Sequence, residues 1–234
     1  KGLKVIANKS GANLSSGITT TLISALTPGG KPRFSHALLE TDEAAFRTLA
    51  PRLKPETVIV TNFFRDQLDR FGELHTTVSK VREGISRVPD AVLILNADDS
   101  LCASLGRNVP NRVIYFGIED GVYPEGGADL NSDAAFCIEC KSRYEYLSTT
   151  FGHLGHFRCP SCGYERPHTS VECSGILSYD SLGSSFEISG PDMKMTVKLA
   201  LPGLYNIYNA LAGAAYGLTL GLGEKQIAAA LSGF

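Results

Sequence analysis

Several features that define particular protein classes are absent from this sequence. No stretch reaches the roughly 20 apolar residues that a membrane-spanning helix needs, and no secretory signal opens the chain. No run of like charges occurs, and 22 basic residues nearly balance 24 acidic ones, for a formal net charge of -2. These absences argue against a nucleic-acid-binding tract, a polybasic anchor and a transmembrane segment, and they predict a cytoplasmic protein.

The phosphate-binding segment Gly-x-x-x-x-Gly-Lys-Ser/Thr is also absent, so these residues cannot form a P-loop by themselves. The length of 234 residues suits one large domain or one domain with an insertion. The chain starts at Lys1 without methionine, directly before a predicted strand, and stops at Phe234 directly after a predicted helix. We therefore expect a fragment of a longer protein.

The first half of the chain alternates apolar runs with amphipathic stretches, which predicts a mostly parallel sheet flanked by helices, an α/β fold. Buried strands are predicted at residues 4–7, 37–40, 58–62, 92–97 and 113–117. Helices are predicted at residues 42–50, 74–88 and 99–106. Polar and glycine-containing residues 8–17 are predicted to face an acceptor substrate or to connect the first strand to a helix.

The pattern breaks near Tyr123 and changes again after Pro167. Short aromatic segments between these points enclose cysteine pairs, which predicts a small module inserted at residues 128–170. Residues 1–127 and 171–234 are predicted to form the surrounding domain. Its last part is predicted to hold a smaller antiparallel β portion, with strands at 175–179, 185–188 and 193–199, followed by helices at 204–220 and 224–231.

Four of the six cysteines form two Cys-x-x-Cys pairs. Cys137 and Cys140 form the first pair, Cys159 and Cys162 form the second, and 18 residues separate the pairs. This spacing is typical of a four-thiolate zinc site, in which two tight turns complete a tetrahedron. We predict a structural zinc ion, because four protein ligands leave no open position. Disulfides or a redox dithiol are the alternatives, and a reducing compartment disfavours disulfides.

The remaining metal-type side chains are assigned no ligand role. Cys102 and Cys173 are predicted to be ordinary core thiols. His153, His156 and His168 lie near the cysteine pairs in the sequence and are predicted to be solvated residues or supports behind the thiolates.

Carboxylates follow the second predicted strand, at the sheet edge where open α/β sheets bind ligands. Glu40 is predicted to bind Mg²⁺, which takes oxygen ligands and bridges nucleotide phosphates. The alternative is that acidic residues here cap the following helix, and we favour that role for Asp42 and Glu43.

Residues 62–72 read Asn-Phe-Phe-Arg-Asp-Gln-Leu-Asp-Arg-Phe-Gly. This segment resembles the Asn-x-x-x-Asp-His-x-Asp-x-x-Gly motif of the Mur ligase family. Its residues are most similar to the form of the motif in the branch of that family that amidates lipid II. The resemblance implies a catalytic role for Glu40 and for the residue at the histidine position, which is Gln67 here. An amide offers an oxygen but no imidazole, so this departure puts a conventional second metal ion in doubt.

Two further segments resemble the same family. Residues 95–99 read Leu-Asn-Ala-Asp-Asp at the end of a predicted strand, and residues 201–212 place Asn206 and Asn209 at the start of a helix. The resemblance implies that the two asparagines contact the adenine of ATP, since three-residue spacing puts them on one helix face. A helix-capping role is the alternative for Asn206.

Together these segments imply part of a Mur ligase central ATP-binding domain with ATP, Mg²⁺ and Zn²⁺ as cofactors. The implied reaction phosphorylates the D-glutamate α-carboxylate of the lipid II stem peptide, at the membrane surface, and ammonia then converts the acyl phosphate to D-isoglutamine. The resemblance implies a GatD-like glutaminase subunit as the ammonia source and partner. Without the missing segments, the chain alone is expected to be inactive.

Two other functional classes stay open. One is a Mur or folylpolyglutamate-type ligase that adds an amino acid, for which a histidine at position 67 would be expected. The other is an assembly module without catalysis, which a P-loop encoded upstream of Lys1 would argue against.

Overall fold

The computed structural model describes residues 3–64, 73–122, 135–150 and 152–233. The chain forms two compact units. The first comprises residues 1–54 and 79–88, and the second comprises residues 55–78 and 89–234. Gln67 and the predicted boundary at residues 127 and 128 lie outside the described residues.

The first unit contains a short parallel pair of strands, β1 (Val5–Ala7) and β2 (His36–Leu38). Each strand is followed by a helix, α1 (Ser15–Ser24) after β1 and α2 (Glu43–Leu53) after β2. The last part of α3 (Glu73–Ser86) also belongs to this unit. Ile18, Ala45 and Leu49 form its buried cluster.

Helix α1 was not among the predicted elements. Its sequence, Ser-Ser-Gly-Ile-Thr-Thr-Thr-Leu-Ile-Ser, is rich in β-branched residues and contains a glycine, all of which have low helix propensity. Tertiary packing compensates, since Ile18 is fully buried. Of the two roles left open for residues 8–17, the strand-to-helix connection is confirmed, and the acceptor role stays a prediction.

The second unit is built on a six-stranded mixed sheet in the order β10-β9-β8-β5-β4-β3. Three neighbouring pairs, β3–β4, β4–β5 and β5–β8, are parallel, and the β8–β9 and β9–β10 pairs are antiparallel. The strands of this sheet are β3 (Thr57–Val60), β4 (Val92–Asn96), β5 (Val113–Ile118), β8 (Val171–Tyr179), β9 (Ser184–Gly190) and β10 (Met193–Leu199).

The antiparallel portion therefore continues the parallel sheet, because β8 pairs with both parts. Val171 to Cys173 pair with β5 in parallel, whereas Glu172 to Tyr179 pair with β9 in antiparallel fashion. Along β10 buried and exposed residues alternate strictly, as expected for a strand with one face in the core. The helices of this unit are α4 (Ser100–Ser104), α5 (Leu204–Thr219), α6 (Glu224–Ser232) and the first part of α3.

The described residues 135–150 and 152–166, here called the cysteine module, contain a two-stranded antiparallel sheet. Its strands are β6 (Glu145–Thr149) and β7 (Gly155–Arg158). The sequence had indicated only short aromatic segments here, and these segments supply the core of the module. Tyr144, Phe157 and Tyr164 are each at most 5% exposed.

Within the part of the chain that the structure describes, no helix has the length and apolar character required to cross a membrane.

Candidate functional site

The two Cys-x-x-Cys pairs fold into matching turns. The amide of Lys141 donates to the Cys137 carbonyl at 2.9 Å, and the amide of Gly163 donates to the Cys159 carbonyl at 3.0 Å. Lys141 and Gly163 both have left-handed backbones, with φ of 64° and 74°. Glycine suits this conformation, and Lys141 adopts it at some steric cost. The repeated geometry brings two sulfur atoms from each turn to one place.

The four sulfur atoms of Cys137, Cys140, Cys159 and Cys162, here called the cysteine cluster, all lie within 4.8 Å of one another. The Cys137 and Cys162 sulfurs are 3.6 Å apart, and those of Cys140 and Cys159 are 3.4 Å apart. These separations are close to the edge of about 3.8 Å that follows from metal–sulfur bonds of about 2.3 Å in a tetrahedron. The cluster can therefore hold a metal ion.

The acidity of the cluster also depends on its local hydrogen bonds. Bonds from the Ser142 side chain and backbone lower the pKa of Cys140 to about 6. The Tyr164 backbone favours the Cys162 thiolate, yet desolvation and bonds shared with the other three thiols raise the pKa of Cys162 to about 12. Four adjacent sulfurs cannot all ionise without a compensating cation.

Asp98, directly after β4, is fully buried and is held by donors from three parts of the second unit. Its Oδ1 accepts from Nε of Arg166 at 2.6 Å. Its Oδ2 accepts from the Ile118 amide at 2.8 Å and from the Tyr208 hydroxyl at 2.7 Å. A buried carboxylate with this set of donors is paired and solvated by the protein itself.

Gly117 permits this close packing around Asp98. A Cβ atom at position 117 would lie 2.6 Å from Oδ1 of Asp98 and 2.6 Å from Nη2 of Arg166. Any larger residue would therefore force the ion pair apart.

Asp99 is also fully buried, and it caps α4 by accepting from the amides of Leu101 and Cys102. Its other oxygen accepts from the Phe63 amide at 2.7 Å and lies 3.4 Å from Nε2 of His153. Burial by itself would raise the pKa of Asp99, but the His153 bond and charge and the Phe63 and Cys102 amides bring it below the ordinary value.

His153 corrects one expectation, because it is only 2% exposed and is not solvated. Its Nε2 lies beside Asp99 and not beside the cysteine cluster. Its ring packs edge-on against the Phe64 ring, with the two ring centroids 5.0 Å apart. His156 bonds to the Ile118 carbonyl at 3.0 Å. Cys102 and Cys173 are fully buried, which confirms them as core thiols.

In the first unit, Glu40 follows β2 and its side chain is exposed. Its backbone is held by Asn8, whose side chain accepts from the Glu40 amide at 2.9 Å and donates to the Glu40 carbonyl at 2.8 Å. Among the described residues the Glu40 carboxylate has no ion-pair or hydrogen-bond partner. Asp42 caps α2 through the amides of Ala44 and Ala45, which confirms its predicted role.

In the second unit, Asn206 is buried and Asn209 is exposed. Asn206 does not cap α5, since Gly203 occupies that position. Its amide instead donates to the Pro202 carbonyl at 2.7 Å, and its oxygen accepts from Nδ2 of Asn209 at 3.3 Å. The side-chain oxygen of Asn209 and the second proton of its Nδ2 are left for a ligand, which makes Asn209 the better candidate for a ligand contact.

The sequence did not point to Arg166, Tyr208, Thr150 or His153 as members of one polar network. The adjacent Asp98 and Asp99 after a buried strand were the available signal. Their partners lie up to 110 positions away, and no local pattern marks them.

The MurT subunit of lipid II isoglutaminyl synthase (glutamine-hydrolyzing) from Streptococcus pneumoniae is 34% identical over 96% of this chain and 48% of its own length. The MurT subunit from Staphylococcus aureus is 32% identical over the same shares. The chain belongs to the Mur ligase family. This Mur ligase chain spans about half the length of these curated relatives.

Other members of the Mur ligase family match a smaller part of the chain. UDP-N-acetylmuramate--L-alanine ligase from Rhodococcus erythropolis is 27% identical over 77% of the chain and 31% of its own length. No protein-family model matches the chain.

Solved structures agree on the Mur ligase fold. A pseudomurein peptide ligase type C from Methanothermus fervidus matches with a TM-score of 0.70 and 24% identity, over 100% of this chain and 44% of that one. MurF from Acinetobacter baumannii matches with a TM-score of 0.66 and 15% identity, over 99% of this chain and 40% of that one.

Proposed function

We propose that this chain is part of an ATP-dependent ligase that amidates lipid II. ATP phosphorylates the D-glutamate α-carboxylate of the stem peptide, and ammonia displaces the phosphate to give D-isoglutamine. The observation that carries the proposal is the 34% identity to a MurT subunit across 96% of the chain. The alternative reaction, addition of an amino acid, has weaker support, because an amino-acid-adding ligase matches only 77% of the chain at 27% identity.

We assign two residues to the nucleotide and its metal ion. The exposed Glu40 carboxylate, held by Asn8 and without a described partner, would bind Mg²⁺, an ion that prefers oxygen ligands. Mg²⁺ supplies charge compensation for the transferring phosphoryl group. Asn209 would contact adenine, with Asn206 orienting its amide. Gln67 keeps its proposed catalytic role, although it lies outside the described residues.

We assign a structural zinc ion to the cysteine cluster. Thiolates are the ligands that structural zinc prefers, and four of them leave no position for substrate or water. Metal analysis of freshly purified, reduced protein tests this assignment, with about one zinc per chain expected. A metal-free protein that keeps its folded cysteine module would contradict it.

The domain organisation completes the proposal. Residues 1–127 and 171–234 would form part of the central ATP-binding domain, with residues 128–170 inserted in it. A GatD-like glutaminase subunit would provide ammonia, and the complex would meet lipid II at the cytoplasmic surface of the membrane. The relatives are named as subunits of a glutamine-hydrolyzing enzyme, which supports a partner of this kind.

Mass spectrometry of lipid II is the direct test. The protein extended to its natural ends is incubated with lipid II, ATP, Mg²⁺, glutamine and the glutaminase partner. Conversion of one stem-peptide carboxylate to an amide is expected. An amino-acid adduct would indicate a conventional ligase, and unchanged lipid II would favour an assembly module or another acceptor.

The nucleotide assignment has its own test. Asn209→Ala should raise the KM for ATP by roughly tenfold with little change in kcat. The lost adenine contact would stabilise bound ATP and the transition state equally. Lys225→Gln, an exposed change in α6, should leave both constants unchanged. Equal KM values for Asn209→Ala and wild type would remove adenine binding from this residue.

A further inference from the structure

Three side chains of the cysteine module reach the end of β4 and the nearby helix α5. Arg166 bonds to Asp98, His153 lies beside Asp99, and Thr150 lies 2.7 Å from the Tyr208 hydroxyl. The module is therefore connected to the sheet and to α5 through buried polar contacts, in addition to apolar packing.

The Tyr208 hydroxyl is the link between the module and α5. A phenol has one proton and a carboxylate only accepts, so Tyr208 donates to Oδ2 of Asp98 at 2.7 Å. The Tyr208 oxygen can then only accept from Thr150. The Thr150 proton has two acceptors in reach, the Tyr208 oxygen at 2.7 Å and the Leu154 carbonyl at 3.2 Å, and the shorter distance favours Tyr208. Burial and the charge of Asp98 raise the pKa of Tyr208, so the phenol keeps its proton.

Because Tyr208 lies in α5, its two hydrogen bonds restrain the position of that helix. Tyr208 is 1% exposed and immediately precedes the exposed Asn209. The hydroxyl is held on one side by a carboxylate at the end of β4 and on the other by a residue between β6 and β7. Rotation or sliding of α5 would break both bonds and leave the buried Tyr208 hydroxyl unpaired, which is costly.

We propose that the cysteine module positions α5, with Tyr208 as the positioning residue and Thr150 as its contact in the module. A metal ion held by the cysteine cluster would then affect α5 only indirectly, through the folding of the module. The consequence for nucleotide binding rests on the proposed role of Asn209.

Hydrogen exchange of the α5 amides in the full-length complex tests the positioning directly. Tyr208→Phe and Thr150→Val should each increase exchange in residues 204–212 by about tenfold. The first variant loses the buried bond from Tyr208 to Asp98, and the second loses the bond between Thr150 and Tyr208. Thr150→Ser keeps the hydroxyl and should restore slow exchange. Removing the metal from wild type with a chelator should also increase exchange, and should add little in Thr150→Val.

Tyr164→Phe is the matched control. Tyr164 is a second buried tyrosine, 5% exposed, and its hydroxyl donates to the Ser100 carbonyl without touching α5. This variant should leave exchange in α5 as in wild type. If Tyr208→Phe and Tyr164→Phe alter α5 equally, or neither alters it, the positioning role is wrong.

The KM for ATP separates this inference from the proposed function. Tyr208→Phe should raise it about tenfold with kcat nearly constant. If exchange in α5 increases but neither Tyr208→Phe nor Asn209→Ala changes the KM, positioning by the module stands and the nucleotide role of α5 fails. If Asn209→Ala raises the KM while α5 exchange is unchanged in Tyr208→Phe, the nucleotide role stands and the positioning fails.

Discussion

Two polar clusters in the second unit differ in how their charge is compensated. The pair Asp98 and Asp99 is fully buried, and its oxygens accept from backbone amides, Arg166, Tyr208 and His153. The cysteine cluster has four sulfurs in contact, two of them on exposed residues, and among the described residues no cationic side chain forms an ion pair or hydrogen bond with them. The first cluster is completed by the chain itself, whereas we propose that a metal ion completes the second. A carboxylate pair at a sheet edge is therefore not automatically a metal site.

The largest effect is expected in the cysteine cluster. Cys159→Ser should reduce the bound metal from about one equivalent to near zero and unfold the module, because zinc binding and folding are coupled in such sites. Metal content and circular dichroism measure this. Cys173→Ala changes a cysteine that is equally buried but outside the cluster, and it should retain the metal. Metal retained by Cys159→Ser would show that the cysteine cluster does not hold the metal ion.

The second largest effect is expected at Asp98. Asp98→Asn leaves Arg166, only 13% exposed, without its charge partner, and should lower the free energy of unfolding by about 3–5 kcal/mol. Chemical denaturation measures the change. Asp192→Asn is the control, since Asp192 is exposed with a φ of 54° that asparagine tolerates. A loss as small as the control's would mean that the buried pair contributes nothing to stability.

A smaller, pH-dependent effect is expected at Asp99. Its pKa in the folded state is lowered from 3.8, so its stabilisation is complete above that value and is lost as the pH falls through the folded pKa. Asp99→Asn removes this titration and should cost about 1–3 kcal/mol at neutral pH, with a shallower decline of stability in acid. Urea denaturation from about pH 3 to pH 7 measures both.

Asp180→Asn is the control for that series, because Asp180 is exposed and its turn bonds to the Leu182 and Gly183 amides can be made by asparagine. It should follow the wild-type curve. An Asp99→Asn curve parallel to wild type throughout the acid range would contradict the lowered pKa.

The smallest effect is expected for the exposed ion pair on the cysteine module. Arg158 and Glu165 lie 3.8 Å apart, with side chains 62% and 64% exposed. Glu165→Gln should change the free energy of unfolding by less than about 0.5 kcal/mol, because water screens the pair. A loss comparable to that of Asp98→Asn would show that burial does not explain the difference between this exposed pair and the buried pair of Arg166 and Asp98.

Much of the α/β architecture was predictable from periodicity. Predicted strands at residues 92–97 and 193–199 appear as β4 (Val92–Asn96) and β10 (Met193–Leu199). The start of β8 was missed by four residues, because Val171 to Cys173 are strand through long-range pairing with β5. The short predicted helix at 99–106 is reduced to α4 (Ser100–Ser104), where Asp99 supplies the cap.

The candidate sites show the same difference between local features and long-range contacts. The sequence by itself determined the two turns that supply the cysteine cluster, because each Cys-x-x-Cys turn is local and its hydrogen bonds join residues at most five apart. Only the tertiary structure decided the surroundings of Asp98, whose partners Arg166 and Tyr208 are 68 and 110 positions away. A local turn is fixed by backbone sterics and neighbouring donors, whereas a buried charge is compensated by whichever groups the fold brings to it.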